Sequence, residues 1–333
     1  MSEAFDAAHY EDAARQALKA FPVDAADMRF VHVSENVTFR VDEHGTGRCF
    51  VLRLHRPDYH TQAVLESEHL WTRALDAAGL LVPRPVAARN GQDYVRVPVA
   101  ATGEKRWAGL ADWVPGEVLH DLLQANADPV ARAGYYGELG GILAAAHAQA
   151  SAWPIPAGFV RHHLDEDGLM GERPFWGPFW EHAVLTPGER DLLLTTRDRI
   201  RQTLVRYGKP NRTYSVIHAD LQPRNVVVSD GRMAMIDFDD CAFGWHQYDL
   251  AVALFSVEGD ADAGRLRDAL VAGYRAVRDL DDADLALLPM FILIRGMAVI
   301  GWMHERPELG ISPRLAGIRE RVCAAAEAFV PPC

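Results

Sequence analysis

The sequence predicts an α+β chain of two lobes, a small antiparallel-sheet N-lobe over residues 1–115 and a large, mainly helical C-lobe over residues 116–333. Three observations carry this. The 333 residues exceed what one ordinary hydrophobic core organises. Up to about residue 115, short β-branched and aromatic stretches dominate, with one clear helix among them. Beyond Pro115-Gly116, apolar residues recur at helical spacing instead.

In the N-lobe, Phe30–Val41 and Cys49–Leu54 read as strands, and His44-Gly45-Thr46-Gly47 between them reads as a hairpin turn. Thr61–Ala78 is predicted as a helix, stopped by Gly79. Asp93–Val99 and Arg106–Val114 are two further strands, and Pro115-Gly116 marks the hinge. In the C-lobe, Leu139, Ile142, Leu143 and Ala146 define a helix over Tyr135–Ala150. Residues 151–188 are irregular, and helices resume at Glu189–Tyr207, Tyr248–Val257, Ala261–Arg278, Ala283–His304 and Arg314–Phe329. Leu285–Met303 is nearly all apolar, but Pro289 stands near its start and Arg295 at its centre. A charge there would cost about 2.5–3.5 kcal/mol in a bilayer, so a buried core helix is expected and no membrane partner.

Hydrophobic residues make up 49% and charged residues 24%, an ordinary globular balance. Lysine and arginine total 34 against 46 acids, a net charge of −12. That surface repels a phosphate backbone, so no nucleic acid partner is expected. Cys49, Cys241, Cys323 and Cys333 are far apart with no CxxC pair, which fits a reducing, cytoplasmic setting. No basic n-region followed by an apolar stretch opens the chain, so no signal peptide is expected.

The chemistry concentrates in Tyr214–Phe238. Asp230-Gly231 is a two-residue hairpin turn. Counting outward from it places Asn225 opposite Ile236, beside Asp237, with Asp220 on the loop leading in. Two carboxylates and a carboxamide at one strand end suit Mg²⁺, which takes one or two carboxylates together with phosphate oxygens and water. The order Asp-x4-Asn, then Asp-Phe on the return strand, matches the phosphoryl-transfer template. There the first Asp, here Asp220, takes the acceptor hydroxyl's proton, while Asn225 and Asp237 hold the metal.

A phosphotransferase also needs a cation on the nucleotide phosphates and a group to orient it. Arg53 is a charge inside the apolar strand Phe50–Leu54. The next helix puts Val64, Glu68, Trp71 and Leu75 on one stripe, with Glu66 about 160° from Glu68. A glutamate on an apolar face needs a partner, and Arg53 is the candidate; a solvated place at the rim of the stripe is the alternative. Ser34-Glu35-Asn36 occupies the turn between the first two strands. Ser34, Asn36 and nearby backbone N–H groups are candidate phosphate contacts, although this is also an ordinary turn composition.

His218-Ala-Asp220-Leu-Gln-Pro-Arg-Asn225 with Ile236-Asp237-Phe238-Asp239 resembles the aminoglycoside phosphotransferase and choline kinase superfamily, the small-molecule branch of the protein-kinase-like fold. The resemblance runs from about Ser34 to Trp302. It implies ATP as phosphate donor, Mg²⁺ as cofactor and a small-molecule hydroxyl acceptor in the helical lobe. It implies adenine binding at the hinge Ala111–Gly116, through Asp112 and Val114, with Asp220 as catalytic base and Asn225 and Asp237 as metal ligands. His218 and Asp249 are implied to brace the loop. The strand cation is lysine in most of the superfamily and Arg53 here. Ser34-Glu35-Asn36, Phe50-Val-Leu-Arg-Leu-His-Arg-Pro57 and Asp237-Phe-Asp-Asp240 look closest to the homoserine-kinase-like proteins and to the bacterial stress-response kinase. The latter phosphorylates protein serine and threonine. Only about eight residues, Asp239–His246, separate the metal acid from the next helix, which favours a small acceptor.

His120, His162 and His163 lack a spaced ligand set and read as loop histidines. Trp153, Phe159, Phe175, Trp176, Phe179 and Trp180 either line an acceptor pocket or pin the long loop, and pinning is the favoured reading. Asp165, Glu166 and Asp167 are expected to be solvated.

Overall fold

The computed structural model describes residues 7–33, 36–307 and 313–331. In chain order the elements are α1 (Ala8–Leu18), β1 (Ala25–Val33), β2 (Val37–Glu43), β3 (Cys49–Leu54), α2 (Gln62–Ala77), β4 (Pro85–Val86), β5 (Tyr94–Pro98) and β6 (Lys105–Asp112). Then come β7 (Glu117–Val118), α3 (Leu119–Ala125), α4 (Pro129–Ala152), β8 (His163–Leu164), α5 (Glu166–Met170), α6 (Pro187–Tyr207) and β9 (Tyr214–Ile217). The chain ends with β10 (Val226–Ser229), β11 (Arg232–Met235), β12 (Ala242–Trp245), α7 (His246–Phe255), α8 (Ala263–Arg275), α9 (Asp282–Leu285), α10 (Leu288–His304) and α11 (Pro313–Ala328).

The chain divides into two compact units. The first is Met1–Glu117 with Pro154–Arg161 and Val227–Asp239; the second is Val118–Trp153, His162–Val226 and Asp240–Cys333. The expected division at residue 115 is a single cut, whereas two later segments return to the first unit.

The first unit is built on an antiparallel sheet of six strands among the described residues, in the order β1-β2-β3-β6-β4, with β5 on β6. Strand β3 shows why a charge sits inside an apolar run. Phe50, Leu52 and Leu54 point to one face, where Tyr10, Ala13, Ala17 and Leu18 of α1 cover them. Val51 and Arg53 point to the other face, because side chains alternate along a strand. Thr61 caps α2, and its apolar stripe buries Leu65, Trp71 and Leu75 completely. Helix α1 was not expected. Its apolar spacing is helical, but the stripe is mostly alanine, which signals weakly.

The second unit is mainly helical. Helix α4 lies against α8, and α10 against α7 and α11. The expected helix Ala283–His304 is split into α9 and α10. Pro289 has no N–H for the carbonyl of Leu285, and it sits in the first turn of α10, where that loss is tolerated. Asp282–His304 is long and apolar enough to cross a membrane, yet most of it is buried within the protein. Residues 151–188 hold the short helix α5, capped by Asp165. Asp165 pairs with Lys209, and Asp167 with Arg201, so these acids are ion-paired rather than merely solvated. Trp176 stacks on Tyr248, and Phe179 and Trp180 are buried, as pinning of the loop requires.

Candidate active site

In the first unit, Arg53 is the organising charge. Its Nη1 lies 3.4 Å from Glu68 Oε1 and its Nη2 lies 3.1 Å from Asp237 Oδ1. Glu68 is nearly buried, whereas the Asp237 side chain is 44% exposed. Burial works against the guanidinium charge, but Asp237 and Glu68 more than offset it and raise its pKa above the ordinary value. Asp237 has a positive φ of 65°, a backbone state that costs a non-glycine residue about 1–2 kcal/mol. Its neighbour Phe238 meets Trp71 edge-on. The next residue, Asp239, is buried and anchored by His55 at 3.3 Å, while its carbonyl accepts from His60 and Arg161.

A small cavity opens beside Arg53, lined by Val51, Pro85, Gly109, Leu110, Ala111 and Phe238. Gly109 leaves room for the Tyr94 ring: a Cβ there would lie 2.6 Å from it. Asp112 ends β6, donates its N–H to Arg84 O and pairs with Arg48. Val114 follows, half-buried. Asn36 is buried, and its Oδ1 accepts from the Arg56 N–H at 3.1 Å. It ties down the entry to β2 through that oxygen, and a phosphate, itself an acceptor, would be met by the Nδ2 amide instead. Ser34 lies outside the described residues.

In the second unit, Asp220 is held from several sides. Its Oδ2 accepts from Asn225 Nδ2 at 2.9 Å and from Gln222 Nε2 at 3.1 Å. Its Oδ1 accepts from Arg295 Nη2 at 2.6 Å. Asn225 Nδ2 also donates to Asp220 O. Both amide protons are therefore engaged, and Oδ1 of Asn225 is the atom it can offer a hard cation. The loop before Asp220 is strained at Ala219, with φ 66°. Asp249 stabilises it, accepting from His218 N at 2.9 Å and from Ala219 N at 2.7 Å. His147 Nε2 completes the Asp249 shell at 3.0 Å; burial keeps its imidazole below the ordinary pKa despite the carboxylate. His218 is buried, and its Nδ1 accepts from the Asp220 N–H. Both bracing residues are thus seated as the resemblance implies.

The histidines take other places. His162 stacks on Phe175, His163 on Phe243, and His120 bonds Arg224. A larger apolar cleft of about 870 Å³, with Phe255, Val271, Ile292 and Arg321 in its walls, lies among α7, α8, α10 and α11. It holds none of the residues above.

The residue sequence reasoning missed is Arg295. The signal was present, since a charge inside an apolar helix needs a partner, but nothing in spacing names one 75 positions away.

Within the first unit, a buried cation on a sheet face with an exposed carboxylate beside it suits phosphate and a hard cation; within the second, the carboxamide oxygen of Asn225 suits a hard cation. A model of the APH phosphotransferase enzyme family matches residues 28–286. The chain belongs to this phosphotransferase family. Amicoumacin kinase of Bacillus subtilis (strain 168) is 22% identical over 330 residues, 94% of this chain and 92% of that protein. A homoserine kinase of Methylobacterium radiotolerans is 30% identical over 252 residues, 72% of this chain and 70% of that one. A solved microcompartment-associated aminopropanol kinase is 32% identical with a TM-score of 0.80, covering 95% of both chains. As a phosphotransferase of this family, the protein has the kinase-like fold and transfers phosphate from ATP to a hydroxyl of a small molecule. Phosphorylation of a protein serine or threonine is not favoured by these relatives.

Proposed function

We propose that the acceptor is a small amino alcohol, that Asp220 takes its hydroxyl proton, and that Asn225 and Asp237 hold Mg²⁺. The acceptor oxygen forms a bond to the γ-phosphorus as the bond to the β-phosphate oxygen breaks, and ADP leaves. Bound Mg²⁺ supplies charge neutralisation on the phosphates. Arg53, oriented by Glu68, meets those phosphates together with Ser34 and Asn36, and the backbone at Asp112 and Val114 holds the adenine. Arginine suits the phosphate role through its bidentate fork.

The observation that carries the reading is the fixed Asp220 carboxylate, held by Asn225, Gln222 and Arg295. Three facts support a small amine-bearing acceptor. Homoserine and aminopropanol, in the names of two relatives, both join an amine to a hydroxyl. The net charge of −12 attracts a cation, within about 8 Å of each exposed charge at physiological salt. After Asp240 and Cys241 the chain enters β12, paired with β9 and β8, so the stretch from Asp239 to α7 is too short and too tied down to dock a peptide.

The test is ADP formation from ATP and Mg²⁺ with aminopropanol, homoserine, ethanolamine, choline, hydroxylysine, aminoglycosides, simple sugars and a generic protein. Acceleration by one or more amino alcohols is expected. Phosphate entering protein, with no acceleration by any small amine, would overturn the acceptor reading.

A further inference from the structure

Asp220 has more partners than a proton acceptor needs. A carboxylate offers about four lone-pair directions. Among the described residues, Gln222 and Asn225 take both on Oδ2, and Arg295 takes one on Oδ1. The direction left open is on Oδ1, the oxygen that Arg295 holds. Arg295 is itself fixed. It rises from the middle of α10, its side chain is 13% exposed, and its guanidinium lies over the Trp176 ring at 5.9 Å. Trp176 is stacked in turn on Tyr248. Burial opposes the charge of Arg295, but Tyr248 and Asp220 more than offset it. The stack therefore carries a permanent cation in one direction onto one oxygen.

We propose that Arg295 is a positioning residue for Asp220: it orients the carboxylate so that the acceptor's proton is received at the remaining site on Oδ1. This rests on Asp220 being the base. The other groups facing Asp220 are Tyr248 from α7 and His218 from its own loop, with Asp240 beside Tyr248.

The experiment measures ADP formation against acceptor concentration with aminopropanol and homoserine, and with water as the acceptor-free rate, alongside ATP binding by calorimetry. Arg295→Gln is expected to lower kcat about 10- to 100-fold and to leave the acceptor KM within about threefold. ATP affinity should stay within about twofold. In an Asp220→Asn background the same substitution should change turnover less than about twofold, because the two act as one unit. A rise in acceptor KM in place of the kcat loss, or an equal loss in the Asp220→Asn background, would overturn the proposal; the latter would mean that Arg295 acts on substrate directly. If Arg295→Gln does not fold, Arg295→Lys decides. It keeps a charge but not the planar fork, so a reduced kcat at an unchanged acceptor KM supports the proposal, and full wild-type turnover overturns it. Wild-type turnover by Asp220→Asn alone would refute the base assignment, and the positioning role with it. The two failures are therefore told apart.

Discussion

Asp249→Ala tests how the catalytic loop is held. The substitution leaves the N–H groups of His218 and Ala219 without their acceptor in a fully buried site. Each such orphan donor costs about 1–3 kcal/mol. Relaxation of Ala219 from its positive φ offsets about 1–2 kcal/mol. His147 keeps Tyr274 as a partner at 3.0 Å and adds little. Taking the midpoints, the net loss is about 2.5 kcal/mol, which for a chain of this size lowers Tm by about 4 °C. Asp220, two residues from the strained position, loses its aim, and a displacement near 1 Å costs about 100-fold in turnover. ATP binding should be unaffected. Thermal melts and single-turnover rates read both quantities, with Ala219→Gly as a control that removes strain but keeps Asp249. A melt within about 1 °C of wild type, with turnover intact, would refute the bracing argument.

Asp220→Ala should lower turnover about 10²–10⁴-fold and leave ATP affinity unchanged, since it deletes a proton acceptor and no phosphate contact; calorimetry beside single-turnover kinetics checks this. Asp237→Ala should weaken ATP binding far more in magnesium than in EDTA, and equal losses in the two buffers would contradict metal ligation. Acid should destabilise the protein early. His69, His147 and His246 are buried with pKa values below the ordinary imidazole value, burial being the main cause in each. Their neutral forms are the native ones. Their contribution is complete above the unfolded value near 6.5 and is lost as pH falls below it, by about 1.4 kcal/mol per pH unit for each group. Melting temperatures at pH 7.5 and 5.5 that coincide would argue against this.

Features set by local periodicity were legible in the sequence. Alternation along Phe50–Leu54 placed Arg53 on the face opposite the aliphatic core, and helical spacing placed Glu68 toward it. Asp230 and Gly231 both adopt positive φ, 49° and 73°, as the two-residue turn demands. Features set by choice of distant partner were not legible. Arg295 could have met any acid. Asn36 reads as a phosphate-loop residue from its carboxamide, and only the fold reveals that the Arg56 N–H takes its oxygen as well. Likewise, nothing in Asp237-Phe-Asp-Asp240 says that Asp239 is buried against His55 rather than facing solvent.

The first unit closes late in synthesis. The sheet and α2 are complete by residue 117, but their remaining face is finished by chain that emerges much later. Arg161 bonds Val64 O, Val160 N–H bonds Ser67 Oγ, Phe238 meets Trp71 edge-on, and Asp239 approaches His55 at 3.3 Å. A nascent chain shorter than about residue 239 therefore carries a half-dressed sheet, with Trp71 uncovered and His55 lacking its carboxylate. Ribosomal pausing before that point would present an aggregation-prone surface to chaperones. A split or fusion placed at residue 115 would strand the same groups. A circular permutant that keeps 154–161 and 227–239 together with the sheet would not.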